Sequence, residues 1–288
     1  MKRLLFLCLI ISGFGLRAAE TAAPSGASGL RVYTAGHSFH AWVAPMLKDL
    51  AELGGIKGHV VSGVASVGGS TVQRVWDAPP GLKAREALET GAVDVLTLSP
   101  IWLPDEGIEK FVQLGLARNP NLRVTVQEYW LPNDEYNPVV PLDTKKVVNH
   151  NATDLAALRD SNARYERDIE ALVRDLNGRL GKEAVVVVPV GAASVALRER
   201  IVAGKAPGLK VQWRLFTDSW GHPTTPLKVL AAYCHYAVIY RKSPVGLGMP
   251  AEFTRNQEYA NPQLNLLLQQ LAWDAVTKNA MTGVAPRD

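Results

Sequence analysis

The chain has 288 residues, 47% hydrophobic and 20% charged, with a formal charge of +4 and two cysteines. That length supports one large core without disulfide staples. The small positive charge offers no footprint for nucleic acid.

Residues 1–19 read as a secretory signal. Lys2 and Arg3 lead, residues 4–16 form an apolar core short for a bilayer, and Ala18 and Ala19 offer a cleavage site. Its removal takes away Lys2, Arg3 and Arg17 and lowers the charge from +4 to +1. A secreted or periplasmic protein is expected, with no stable membrane insertion after cleavage, since no later stretch is long and apolar enough. Cys8 lies inside the apolar core rather than after it, which argues against lipoprotein-type processing. Cys234 is then the one remaining thiol, and its apolar surroundings read as a small core hydrophobe.

A flexible leader rich in Ala, Ser, Gly and Pro covers residues 20–29. Residues 30–34 form a short hydrophobic strand, followed by a helix with Trp42, Val43, Met46, Leu47, Leu50 and Leu53 on one face. Gly54-Gly55 ends that helix. Residues 59–62 give a second strand, then the glycine-bearing loop Ser66-Val67-Gly68-Gly69-Ser70. A helix over 83–90 leads to a strand at 93–98, and a helix over 108–117 to a strand at 122–127.

Apolar residues at helical spacing mark 153–180, and the β-branched run 184–188 reads as a strand buried on both faces. A further strand is expected at 211–216, and two helices, about 226–241 and 262–278, close the chain. Alternating strands and helices predict a three-layer α/β/α sandwich on a mostly parallel sheet. It would span residues 30–250, with 251–288 as a helical extension packed on it.

In such sheets ligands bind beyond the carboxyl ends of the strands. Ser38, Gly68-Gly69, Ser99 and Gln127 all fall there. Ser38 needs a base to become a nucleophile, and His222 is the candidate, with Asp218 to orient it. Gly69 and the amide of Ser38 suit an oxyanion, because glycine lets backbone N–H groups approach closely. Trp76, Trp102, Trp130 and Trp220 sit in or near the top-face loops, as aromatic walls for a sugar or acyl group or as loop anchors. His40 belongs on the first helical turn or at the cleft rim.

Gly36-His37-Ser38-Phe39, Gly69, and Asp218 with His222 together resemble the blocks of the SGNH/GDSL hydrolase superfamily, in order, over residues 30–247. The resemblance implies a flavodoxin-like SGNH hydrolase fold and a serine esterase acting on carboxylic esters, with O-acetyl groups on carbohydrate among the substrates. No cofactor or metal is implied. Ser38 would be the nucleophile, His222 the base and Asp218 the acid. Ser38, Gly69 and Ser99 would supply the oxyanion donors, and His37, Trp102, Trp130 and Trp220 would contact substrate.

The chain departs from the pattern at three places. His37 replaces the Asp or Asn before the serine. The last block, Asp-x-x-x-His, is one residue longer than usual. The third-block Asn is absent around Leu96-Thr97-Leu98-Ser99-Pro100, leaving Ser99, Gln127 or Asn133 as alternative donors. Two other classes therefore stay open: a catalytically inactive glycan- or envelope-binding protein on the same fold, and a metal-dependent hydrolase using His37, His40 and His222. The sequence does not fix the oligomeric state.

Overall fold

The computed structural model describes residues 28–137 and 146–285. The expected signal, the leader up to residue 27 and the last three residues of the extension lie outside them. The elements run β1 (Arg31–Gly36), α1 (Val43–Leu53), β2 (Val60–Ser66), α2 (Val72–Trp76), α3 (Ala84–Glu89), β3 (Val95–Leu98) and α4 (Glu106–Arg118). Then come β4 (Arg123–Glu128), α5 (Leu155–Leu180), β5 (Val185–Pro189), α6 (Val190–Val202), α7 (Thr225–Tyr240), α8 (Ala251–Arg255) and α9 (Pro262–Lys278).

The sheet has the order β2-β1-β3-β4-β5, and every neighbouring pair is parallel. This is the flavodoxin-like order, in which the chain steps one way from β1 to β2 and then back across to β3. With right-handed crossovers, α1 must lie on one face and α2 to α5 on the other. The packing agrees: α7 rests on α1, α9 rests on α7, and α2, α3 and α4 pack together. The molecule is a three-layer α/β/α sandwich. β3 is buried throughout, whereas the edge strand β2 alternates between exposed and covered residues.

Local signals set several boundaries. Asp154 caps α5 by accepting from the N–H groups of Ala156 and Ala157, and Gly181 closes it in the left-handed region. Asp105 caps α4 through Gly107 and also accepts from the N–H groups of Val72 and Gln73 at the start of α2. Among the described residues no helix is long and apolar enough to cross a membrane. Cys234 is a free, fully buried thiol, and burial pushes its pKa up.

Two elements differ from expectation. Residues 211–216 are not a strand: Gln212–Leu215 coil into a 3-10 turn, and Phe216 makes an isolated bridge to Pro223. The turn Ala280–Thr282 and α9 pack against β5, and β4 is the one strand paired with it among the described residues. Conversely, α6 starts directly at the end of β5 with no intervening loop. Its buried residues include Gly191, Ser194 and Arg198, while Ala192, Ala196 and Val202 are more exposed, so no clean apolar stripe announces it.

Glu128, at the end of β4, is fully buried and receives a hydrogen bond from Asn162. Burial holds its carboxyl far above the usual range, and the nearby charge of Glu166 adds to this. Such a group is neutral in the folded state and ionises on unfolding. It therefore weakens the fold as pH rises above the unfolded value of about 4.3. Glu128→Gln is expected to raise the melting temperature at pH 7, with the gain vanishing as pH falls below about 4. Thermal melts of both proteins across that range check this.

Candidate active site

Ser38 follows β1 at the crevice between β1 and β3, where the chain direction across the sheet reverses. Beyond Gly36 the backbone coils at once: the N–H groups of His40 and Ala41 both bond to the carbonyl of His37. The indole of Trp42 donates to the Ser38 carbonyl at 3.0 Å. The serine is thereby held at the strand end with its side chain facing the loops above.

His222 comes from the loop ahead of α7, 184 residues later, yet its Nε2 lies 2.9 Å from Ser38 Oγ. Its Nδ1 lies 2.7 Å from Asp218 Oδ2. A carboxylate only accepts, so Nδ1 carries the proton and Nε2 is left to accept from the serine hydroxyl. The other Asp218 oxygen accepts from the N–H groups of Trp220, Gly221 and His222. Burial alone would raise the Asp218 pKa, but the backbone and side chain of His222, with the Gly221 N–H, outweigh it and lower the pKa. The extra residue in Asp-x-x-x-His does not part acid from base. Gly221, at φ +95, closes the turn that folds the histidine back onto the aspartate.

That loop is pinned by its carbonyls. Asp218 O faces His150 Nε2 at 3.1 Å, Trp220 O accepts from the Asn133 N–H, and Gly221 O accepts from Trp130 Nε1 at 2.8 Å.

Around Ser38 lies a cleft of about 350 Å³ lined by His37, Phe39, Gly68, Gly69, Ile101, Pro132, Trp220 and His222. Gly69 adopts φ +56, the left-handed region that favours glycine. Among the described residues, no protein acceptor faces the N–H of Ser38 or of Gly69. Two backbone donors are thus free beside the serine.

Other expected site residues lie elsewhere. Ser99 is fully buried beneath the cleft, where its Oγ meets His37 Nε2 at 3.3 Å and Gln127 Nε2 at 3.4 Å, so it does not reach an oxyanion. Gln127 is equally buried, donating to the Phe39 carbonyl and accepting from His235 and His40. Trp130 is no substrate wall. It is 3% exposed and stacks on Phe39 at 4.8 Å, because its apolar ring packs under the cleft floor while its N–H finds a carbonyl. Trp102 is half-buried and outside the cleft lining, and Trp76 packs edge-on against Phe111. Trp220 does line the cleft.

His37 lines the cleft too, but its nitrogens turn inward. Nδ1 accepts from the Phe39 N–H, which leaves Nε2 to donate to Ser99. Burial, with lesser repulsion from His40 and His222, lowers its pKa to about 3. His40 is buried rather than at a rim, and its nitrogens engage Gln127 and Thr97. The three histidines therefore do not converge on a common ligand position. Phe39, Ile101 and Pro132 were not anticipated as lining residues; only the adjacency of Phe39 to Ser38 hints at its place.

Comparison with solved structures finds the same fold in a DUF4886 family protein from Bacteroides uniformis. The TM-score is 0.55 at 15% identity, over 86% of this chain and 95% of that one. A candidate GDSL-like lipase from Parabacteroides merdae gives a TM-score of 0.43 at 11% identity, over 72% and 94% of the two chains. Phospholipase A1 from Streptomyces albidoflavus gives 0.41 at 12% identity, over 74% and 100%. The likeness to the first of these, at 15% identity, is one of fold. No protein-family model matches the chain, and no curated protein matches it.

Proposed function

We propose that this chain is a serine ester hydrolase of the SGNH/GDSL type, exported from the cytoplasm, with Ser38, His222 and Asp218 as its triad. The observation that carries the reading is the continuous chain of contacts from Ser38 Oγ to His222 to Asp218, at 2.9 and 2.7 Å, opening on a cleft. A serine near a helix start is most often a cap; one bonded to an oriented imidazole is not.

In this mechanism Ser38 Oγ attacks the ester carbonyl while His222 Nε2 takes its proton. Asp218 stabilises the imidazolium that forms. The negative oxygen of the tetrahedral intermediate sits against the N–H groups of Ser38 and Gly69, donors that contribute about 2.7–4 kcal/mol each. Collapse expels the alcohol, which receives the proton from His222, and leaves an acyl group on Ser38. Water, deprotonated by His222, then attacks the acyl carbon; the acyl–Oγ bond breaks, Ser38 Oγ takes the proton back from His222, and the acid leaves. No cofactor takes part.

The cleft lining favours an apolar acyl group over a sugar ring. Phe39, Ile101, Pro132 and Trp220 supply flat or aliphatic surface, and among the described residues no Asp, Glu, Lys or Arg lines it to bind hydroxyl groups. O-acetylated carbohydrate remains the second substrate class, with the sugar outside the cleft. Trp220→Ala removes the side chain while keeping the backbone N–H that serves Asp218. It is expected to raise KM for acyl chains of four to eight carbons about 10-fold, with a smaller effect on acetyl esters.

The test is labelling of the full chain with a fluorophosphonate probe, beside hydrolysis of nitrophenyl esters of increasing length and of acetylated sugars. Labelling of the wild type but not of Ser38→Ala supports the proposal. A folded wild type that neither labels nor hydrolyses any ester overturns it in favour of a non-catalytic binding protein on this fold.

A further inference from the structure

Behind the Asp218 turn lies a buried polar cluster that the triad does not include. Its centre is His150, fully buried on the 3-10 turn His150–Ala152. Nδ1 of this ring lies 2.9 Å from Asp134 Oδ2, and Nε2 lies 3.1 Å from the Asp218 carbonyl oxygen. Each partner is an acceptor. Arg198 forks onto both oxygens of Asp134, at 2.5 and 2.8 Å, and Thr153 donates to the same carboxylate.

A neutral imidazole has one N–H and one bare nitrogen, so it satisfies one of these two contacts and sets a lone pair against the other. Both hydrogen bonds coexist only when the ring carries two protons. The surroundings accommodate that cation. Asp134 is the carboxylate in contact with the ring and is shared with Arg198, while Asp218 turns its backbone carbonyl to the other nitrogen. The ring also lies between Phe216, with centroids 4.1 Å apart, and Trp213, at 5.1 Å, whose faces favour a cation. Among the described residues these are the groups that face it: Asp134 from the turn after β4, Arg198 from α6, and Trp213, Phe216 and the Asp218 carbonyl from the segment before α7.

We propose that His150 is a positioning residue for the hydrolase: a doubly protonated ring that ties the Asp218 carbonyl to the Asp134–Arg198 pair and so fixes the turn on which Asp218 and His222 sit. This rests on the triad reading given above. Its consequence is geometric: the ring bridges the Asp134 carboxylate and the Asp218 carbonyl, so removing it releases the turn that carries Asp218 and His222 from the buried pair behind it.

Nitrogen-15 side-chain NMR of the full-length wild type tests the assignment directly. Both ring nitrogens of His150 are expected to carry protons at pH 7, and the Nδ1 proton of His222 to appear at low field. In His150→Gln, which keeps a donor at one end of the side chain only, that low-field proton is expected to weaken. With nitrophenyl acetate, kcat should fall about 10-fold with KM nearly unchanged. A bare ring nitrogen on wild-type His150 at pH 7 overturns the proposal. So does a folded variant whose kcat and His222 proton match the wild type. If His150→Gln does not fold, the wild-type spectrum decides alone. A wild type that hydrolyses no ester but gives the expected spectra removes the esterase reading and leaves the strut standing.

Discussion

Ser38→Ala is expected to lower kcat for ester hydrolysis by about 10⁴-fold or more, with KM changed little. In the proposed mechanism the hydroxyl forms the acyl bond, and neither neighbouring serine substitutes for it. Ser99 lies beneath the cleft with its oxygen engaged, and Ser70 is turned to the Val67 carbonyl at 2.8 Å. His222→Ala should cost about as much, since a serine with no base at 2.9 Å is a poor nucleophile. The double variant should be no worse than either single one, because the two groups act as a unit. Asp218→Asn should lose on the order of 10⁴-fold while folding normally, for its amide presents a donor where the imidazole needs an acceptor. Steady-state kinetics on the four proteins read these ratios. Additive losses for Ser38 and His222 would show that they do not act together.

Arg198→Ala is expected to destabilise the fold by about 3–5 kcal/mol, the cost of leaving a buried charge without its partner. Arg198 is 2% exposed and, besides gripping Asp134, donates to Gln212 and to the His150 carbonyl. For a chain of this size that corresponds to a fall in melting temperature of roughly 10 °C. The double variant with Asp134→Asn should recover part of the loss, since no unpaired carboxylate then remains.

The acid side has a definite sign. Burial would raise the Asp134 pKa, but the hydrogen bonds from His150 and Arg198 and the Arg198 charge hold it far below the usual carboxylate range. The stability it contributes is therefore fully present above the unfolded value of about 3.9 and is lost as pH falls through the lower folded value. Urea titrations at neutral pH and at pH 3 should show the gap between wild type and Arg198→Ala narrowing in acid.

The alternation of strands and helices, and so the layered α/β/α class, was legible in the sequence because burial repeats with the period of each element. Helix 262–278 begins and ends in the structure where its periodicity and Pro262 put it. The sequence also singled out Ser38, Gly69, Asp218 and His222, and the structure brings Ser38, His222 and Asp218 into one hydrogen-bonded chain at a cleft that Gly69 lines. Spacing along the chain, however, carries no distance through space. The sequence left open whether Asp218 meets the imidazole across its longer block; a positive-φ glycine and three pinned carbonyls decide that it does. Ser99 and Trp130 carried the right chemistry at the right strand ends, yet contacts to His37 and Gln127 hold Ser99, and stacking on Phe39 holds Trp130, under the cleft. His150 had no signal at all, since its partners stand 16 and 68 residues away. A hydrogen bond between distant segments leaves no period in either one, so only their shared burial in the folded chain brings it into being.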